Sequence, residues 1–304
     1  MAIDLTGRVA IVTGAGGGLG RSHALELARR GAKLVVNDLG GAVDGSGGSS
    51  EAAKAVVAEI AAMGGEATAD GASVADRKGV ETMVARTMEA FGRIDILINN
   101  AGILRDKSFA KMSLEDFEAV LDVHLTGAIF ASHAVWPVMR EQGYGRIVMT
   151  TSSTGLYGNF GQSNYGTAKL GQVGLMHTLK LEGAKHNIHT NTVCPIAATR
   201  MTKTVFPDEL LDLFRPELVT PAVIFLASEE APNGEILCAG GGHFAKAQTV
   251  ESPGAYLGTK PTADDVRAQW EAIADMRGAE PHEMGGKQTE KFAMRAMAHR
   301  RHAD

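Results

Sequence analysis

The chain has little of what marks a specialised environment. Only two of its 304 residues are cysteine, Cys194 and Cys238, each in an apolar context. That is too few for a disulfide framework. They read as two buried thiols in a reducing compartment, with a disulfide the lesser alternative. An excess of charge is missing too: 30 Lys and Arg against 35 Asp and Glu leave a formal charge of −5. The balance gives no reason to invoke nucleic acid or an anionic membrane as partner. No continuous apolar run approaches about 18 residues, so no membrane span is expected. The opening Met1-Ala2-Ile3-Asp4-Leu5-Thr6-Gly7 has neither a basic n-region nor an apolar h-region. The closing Arg301-His302-Ala303-Asp304 is no peroxisomal or retention address, and a cytoplasmic location is the expectation. No repeat at solenoid spacing and no metal site is expected.

What remains is an ordinary globular composition, 44% hydrophobic and 21% charged. The length suits one α/β domain plus an appendage. Val9-Ala10-Ile11-Val12 reads as a strand buried on both faces, followed by Thr13-Gly14-Ala15-Gly16-Gly17-Gly18-Leu19-Gly20 and then a helix. Glycines let a backbone turn tightly and approach a pyrophosphate, whose charge meets the helix N-terminus. Glycine turns are common, but here a strand precedes and a helix follows. The second strand, Lys33–Asn37, ends at Asp38. A carboxylate there can accept both ribose hydroxyls and repel a 2′-phosphate, so NAD is expected rather than NADP. Residues 40–50, rich in Gly and Ser, read as a flexible surface loop.

Strand and helix then alternate. Strands are expected near Ala67–Ala69, Arg93–Ile98, Arg146–Thr151, Ile188–Val193 and Glu235–Cys238. Helices are expected over Glu51–Met63, Arg77–Phe91, Leu114–Arg140 (with a bend at Pro137) and Asn164–Lys185. The rhythm is that of a doubly wound α/β Rossmann-type parallel sheet of about seven strands, with helices on both faces. Residues 1–245 would form the dinucleotide-binding catalytic domain. From 246 to 304 the composition shifts to Gly, Pro, Thr and charged residues, an extension without a core of its own.

The chemistry gathers at Ser152 and the helix after it. Tyr165 and Lys169 stand four apart and share a helix face, so their polar tips can converge. Such pairs also occur as plain surface neighbours. Ser152, at the mouth of the preceding strand, can face the same point. A phenol beside a fixed ammonium loses its proton more easily, which suits a base that takes an alcohol proton as carbon gives up hydride.

These motifs resemble the short-chain dehydrogenase/reductase family: Thr13 to Gly20, Asn99–Gly102, and Ser152 with Tyr165 and Lys169. The match covers about the first 240 residues. Within the family, Val36–Gly41, Asn100–Asp106, Tyr157–Gln162 and Arg200–Thr202 look like the (3R)-hydroxyacyl-CoA dehydrogenase part of type 2 multifunctional enzymes. The resemblance implies Tyr165 as general base or acid, Lys169 on phenol and nicotinamide ribose, and Ser152 on the substrate oxygen. It places Gly14, Gly18, Leu19 and Gly20 at the pyrophosphate, Asp38 on the adenosine ribose, and Asn100 and Gly102 beneath the cofactor. Thr199 would close over the carboxamide.

Two positions depart from the family pattern. His124 replaces the Asn usual in the long helix, as a proton relay or a packed structural histidine. Ala72, next to Ser73, replaces the usual adenine-contacting Asp; Asp70 or backbone groups would substitute. The implied substrate is a 3-hydroxyacyl-CoA, with Arg105, Lys107, Arg200 and Lys203 near the pocket mouth as solvated charges or phosphate partners. A steroid alcohol is the alternative, since Leu156, Tyr157, Phe160 and Met201 suit either. A non-catalytic NAD-binding regulator or scaffold is the third reading, and the intact Ser152, Tyr165 and Lys169 argue against it. A homodimer or homotetramer is expected, with Gly166, Ala168, Gly171 and Gly174 permitting close helix packing. Hydratase activity would lie on a separate chain.

Overall fold

The computed structural model describes residues 2–201 and 207–300. Two compact units divide the chain, Met1–Lys246 and Ala247–Asp304. In the first, β1 (Val9–Thr13), α1 (Gly18–Arg29), β2 (Lys33–Asn37), α2 (Glu51–Ala62), β3 (Ala67–Asp70), α3 (Arg77–Phe91) and β4 (Ile96–Asn99) follow in turn. Next come α4 (Leu114–Leu121), a π-helical turn (Asp122–Thr126), α5 (Gly127–Gln142), β5 (Gly145–Thr150), α6 (Ser153–Tyr157) and α7 (Ser163–Gly183). The unit closes with β6 (Ile188–Ile196), α8 (Asp208–Leu211), α9 (Thr220–Leu226), β7 (Ile236–Gly240) and β8 (His243–Ala247).

The strands lie in the order β3-β2-β1-β4-β5-β6-β7-β8. All pairings from β3 to β7 are parallel. The order reverses between β1 and β4, and ligands of open α/β sheets sit at that switch, beyond the strands' carboxyl ends. Among the described residues the sheet has eight strands rather than about seven. Gly241 and Gly242, both at positive φ (57° and 76°), join β7 to β8 in a two-residue hairpin, which makes this last pair antiparallel. β8 escaped the hydrophobic pattern because His243 to Lys246 are all exposed on the sheet edge.

One face of the sheet presents Ala10, Val12, Leu34, Val36, Ile96, Ile98, Val148 and Val193 to α1, α2 and α9. α5 and α7 pack on the other face, α3 against α5. The run Leu114–Gln142 is long and apolar enough to cross a bilayer, with a mean hydropathy of 1.2. Here its buried side (Val120, His124, Ala128, Ala131, Val135, Met139) packs within the fold. The expected bend at Pro137 is not what divides this run. The π turn does, one residue too many for an α-helical ladder.

Below the sheet, Asp95 is fully buried. It takes the Val9 N–H (2.9 Å), Arg8 (3.1 Å) and both ends of Arg93 (2.6 and 2.8 Å). Arg8 and Arg146 each stand over the Tyr144 ring, at 3.7 and 4.3 Å from its centre. The second unit holds α10 (Ala263–Ala268), α11 (Trp270–Ala274) and α12 (Gly285–Arg300). Glu251 ties this unit together by accepting from Lys291 at 2.7 Å and pairing with Glu280 through the backbone.

Candidate active site

The turn after β1 is shaped by its glycines. Gly14 has φ +62°, and a Cβ on it would come within 2.7 Å of the Ala101 Cα. Around Gly17 nothing lies within 4 Å of such a Cβ, and α1 begins without a side-chain cap. The result is an open hollow backed by uncapped helix N–H groups, which fits a pyrophosphate. Thr199 stands opposite, with its Cβ 3.6 Å from a Cβ built on Gly18. Asn100 holds the turn rather than facing outward, because its amide donates to the carbonyls of Thr13 and Gly14, both at 3.0 Å. Thr13, unremarked in the sequence, binds the N–H groups of Asn100 and Ala101 through its hydroxyl (3.0 and 3.1 Å).

Asp38 sits just past β2. Its carboxylate accepts the N–H of Gly16 at 2.7 Å and of Gly40 at 2.6 Å, so two backbone donors aim it across the glycine turn. Asp70 is tied to the end of its own strand. Its Oδ1 accepts from the Asn37 amide (2.8 Å) and the Ala72 N–H (2.9 Å), locking it to its own sheet. Ala72 and Ser73 lie at the end of β3, beside a hollow lined by Asp70, Gly71, Asp76 and Gly79. The 40–50 loop is folded rather than a free linker. Ala42 and Ser49 close it on Ser46 and Leu39, and Val43 and Asp44 accept from Leu104 N–H and Arg105 Nε, each at 2.9 Å.

The reacting groups collect where β5 ends. Ser152 is extended (φ −158°) and caps α6, the Thr154 N–H donating to its Oγ at 3.2 Å. α7 then brings in Tyr165 and Lys169. Lys169 is 2% exposed and donates from Nζ to the Thr150 carbonyl at 2.6 Å, while its own carbonyl accepts from Thr151 Oγ1 at 2.7 Å. Its Nζ lies 5.5 Å from the centre of the Tyr165 ring. Burial pushes the Lys169 pKa down to about 7 and the Tyr165 pKa up to about 12. The Ser152 hydroxyl works against the latter shift. Burial is thus the largest influence on the resting phenol.

His124 lies in the π turn with its ring edge-on to Tyr165, centroids 5.1 Å apart. Its Nε2 meets both the N–H (3.0 Å) and the carbonyl (2.8 Å) of Ile103, and its Nδ1 has no partner. Burial, helped by the Lys169 charge, pushes its pKa well down, so the ring is neutral at physiological pH. Gly102 is required there: a Cβ would run into the His124 ring.

Other expectations fare differently. Arg105 and Lys107 both bind Asp116, at 3.3 and 3.0 Å, and Arg200 reaches the Gly41 carbonyl at 3.3 Å. Tyr157 and Phe160 are 75% and 89% exposed. Thr202 and Lys203 lie outside the described residues. On α7, Gly171 packs against Leu125 of its own chain, whereas Gly174 faces open space. Asn164, also missed, seats the helix start through its amide on the Arg105 carbonyl at 3.1 Å.

Comparison with known proteins fits this geometry. The family model for short chain dehydrogenases matches residues 8–210. A Mycobacterium tuberculosis protein described as a short-chain type dehydrogenase/reductase is 51% identical over 273 residues, 90% of this chain and 96% of that one. Peroxisomal multifunctional enzyme type 2 of Drosophila melanogaster is 48% identical over 281 residues, 90% of this chain and 46% of that protein. Its full-length structure superposes with a TM-score of 0.82, covering 97% of this chain and 50% of the other at 37% identity. A 7α-hydroxysteroid dehydrogenase complexed with NADH and 7-oxo glycochenodeoxycholic acid superposes at 0.71 and 29% identity, covering 79% and 95%. The chain spans less than half of the multifunctional relative. It belongs to the short-chain dehydrogenase family. It is an oxidoreductase that acts on a CH–OH group with a nicotinamide cofactor.

Proposed function

We propose that the chain oxidises (3R)-3-hydroxyacyl-CoA to 3-oxoacyl-CoA with NAD, reversibly. The observation that carries the reaction type is the convergence of Ser152, Tyr165 and Lys169 at the carboxyl end of the sheet. What supports the substrate is 48% identity to a multifunctional enzyme across 90% of the chain. The relatives named peroxisomal hydratase-dehydrogenase-epimerase point the same way. NAD rather than NADP rests on Asp38, whose aimed carboxylate repels a second phosphate.

The bound nicotinamide would accept the hydride. Everything else falls to the chain. Gly14 to Gly20 and the start of α1 would hold the pyrophosphate, and Asp38 the adenosine ribose. Ser152 and Tyr165 would hydrogen-bond the substrate oxygen. Tyr165 would take the hydroxyl proton during oxidation and return it during reduction. Lys169, fixed by Thr150, would stabilise the phenolate while that proton is away. Neutral His124 and Ile103 would brace the ring and the 100–104 segment.

The solved hydroxysteroid dehydrogenase at TM-score 0.71 keeps a second reading open, a steroid alcohol at the same site. A panel of (3R)- and (3S)-3-hydroxyacyl-CoAs and steroid alcohols, followed by NADH absorbance, separates the two. The proposal expects turnover of the 3R thioesters. Turnover confined to steroids, or equal for both enantiomers, contradicts it.

A further inference from the structure

Cys194 of β6 and Cys238 of β7 are register partners on neighbouring parallel strands, and neither is in a disulfide. Neighbouring strands lie about 4.8 Å apart. Disulfide-linked residues have Cα separations of roughly 4.4–6.8 Å. Register partners in a parallel pair point to the same face, and that face is the one under α7. Thr151 shows this: its N–H pairs with Val193, and its hydroxyl reaches the Lys169 carbonyl at 2.7 Å. The Cys194 sulfur is close enough to bond Cys238 and to feel the Lys169 charge. Cys194 is 2% exposed, while Cys238 is partly open to solvent. Hydride transfer has no use for either thiol.

We propose that Cys194 and Cys238 form a redox modification site, closed by two-electron thiol oxidants such as hydroperoxides into an intramolecular disulfide that disturbs the seat of Lys169. A hydroperoxide reaches Cys238 first. The thiol gains oxygen to become a sulfenic acid, and the O–O bond breaks to release one water (from hydrogen peroxide). The Cys194 thiol then displaces the sulfenic oxygen, forming the S–S bond and a second water. Two thiols lose two electrons and two protons in all.

The site favours a labile bond over a permanent one. Side chains on adjacent parallel strands start about one strand spacing apart, some 4.8 Å. A disulfide draws its Cβ atoms to about 3.8 Å. Closure therefore pulls β6 and β7 together and strains the link, which raises its potential and eases its reduction. β7 has room to respond, since its outer neighbour is the exposed edge hairpin strand β8. Cys194 also leads into Pro195 to Thr199, the segment that faces Gly18. Movement there reaches both sides of the hollow.

The test oxidises the NAD-bound full chain with diamide or hydrogen peroxide, then maps cysteine-containing peptides and assays turnover. The expected result is a Cys194–Cys238 link within one chain, loss of most turnover, and recovery with dithiothreitol. Cys238→Ala should keep basal turnover and resist the loss. The proposal is overturned if both thiols remain free to alkylate after oxidant, or if links form only between chains. It is equally overturned by an intrachain link with unchanged turnover, or by a Cys238→Ala variant inactivated as fast as the parent. Peptide mapping reads the link whichever alcohol the enzyme takes, so an error in the substrate leaves that arm decisive.

Discussion

Lys169 holds its Nζ 2.6 Å from the Thr150 carbonyl and 5.5 Å from the centre of the Tyr165 ring. Lys169 is buried and Tyr165 partly so, with the lysine pKa lowered to about 7 and the phenol raised to about 12. At neutral pH the resting phenol thus keeps its proton. Oxidation needs that proton gone, and reduction needs it present. Oxidation should accelerate from about pH 6 to about pH 9, because it draws on the phenolate, while reduction, which uses the still protonated phenol, should stay nearly level. Initial rates in both directions check this. An oxidation rate that falls across that range would contradict it.

The same lysine couples stability to pH. Its folded pKa lies below its ordinary 10.5, so the unfolded chain binds more protons between the two values. Stability contributed by Lys169 therefore rises as pH climbs from about 7 to about 10. Lys169→Met removes that slope along with activity. The readout is the difference in Tm between variant and parent across the window, which should shrink or reverse in the parent's favour as pH rises. A constant difference would argue against a desolvated ammonium.

Asp38 decides the cofactor. Asp38→Asn keeps an acceptor for only one of the Gly16 and Gly40 N–H groups, which use different carboxylate oxygens, and removes the charge that repels a 2′-phosphate. Catalytic efficiency with NAD should fall by about tenfold or more, the worth of a charged hydrogen bond. Efficiency with NADP should rise relative to NAD. An unchanged ratio of the two would remove the ribose argument.

His124 is neutral and edge-on to Tyr165, so its effect should be positional. His124→Ala should lower kcat, and the shape of the pH–rate profile should stay as in the parent. Loss of one limb of the profile would make the imidazole a titrating member of the proton path.

Asp95 lies far from the chemistry, under the sheet. Asp95→Ala leaves the Val9 N–H unbonded and Arg8 and Arg93 without their shared anion. Breaking such a buried network should cost about 3 kcal/mol. Urea unfolding measures it, and a midpoint unmoved from the parent's would refute the role.

Much of this was legible because it repeats a pattern that physics ties to sequence. Val9 to Val12 could only be a strand buried on both faces, and Thr13 to Gly20 could only be a tight turn feeding a helix. The i, i+4 pairing of Tyr165 and Lys169 followed from helix geometry alone. What escaped lacked a local signal. β8 is an exposed edge strand made by a glycine hairpin, and the π turn at Asp122–Thr126 leaves no mark in hydrophobic period. The roles of Thr13, Asn164 and Asp70 depend on partners 33 to 87 residues away, as in Asp70 with Asn37. The pairing of Arg105 and Lys107 with Asp116 is likewise tertiary. The burial that raises the Tyr165 pKa is set by tertiary packing, which no spacing reveals.

The most direct test removes one oxygen atom. Tyr165→Phe should bind NADH as the parent does yet oxidise (3R)-3-hydroxybutyryl-CoA about 10²- to 10⁴-fold more slowly, the span attributable to a positioned acid–base group. A turnover number equal to the parent's, with the cofactor bound, would contradict the account.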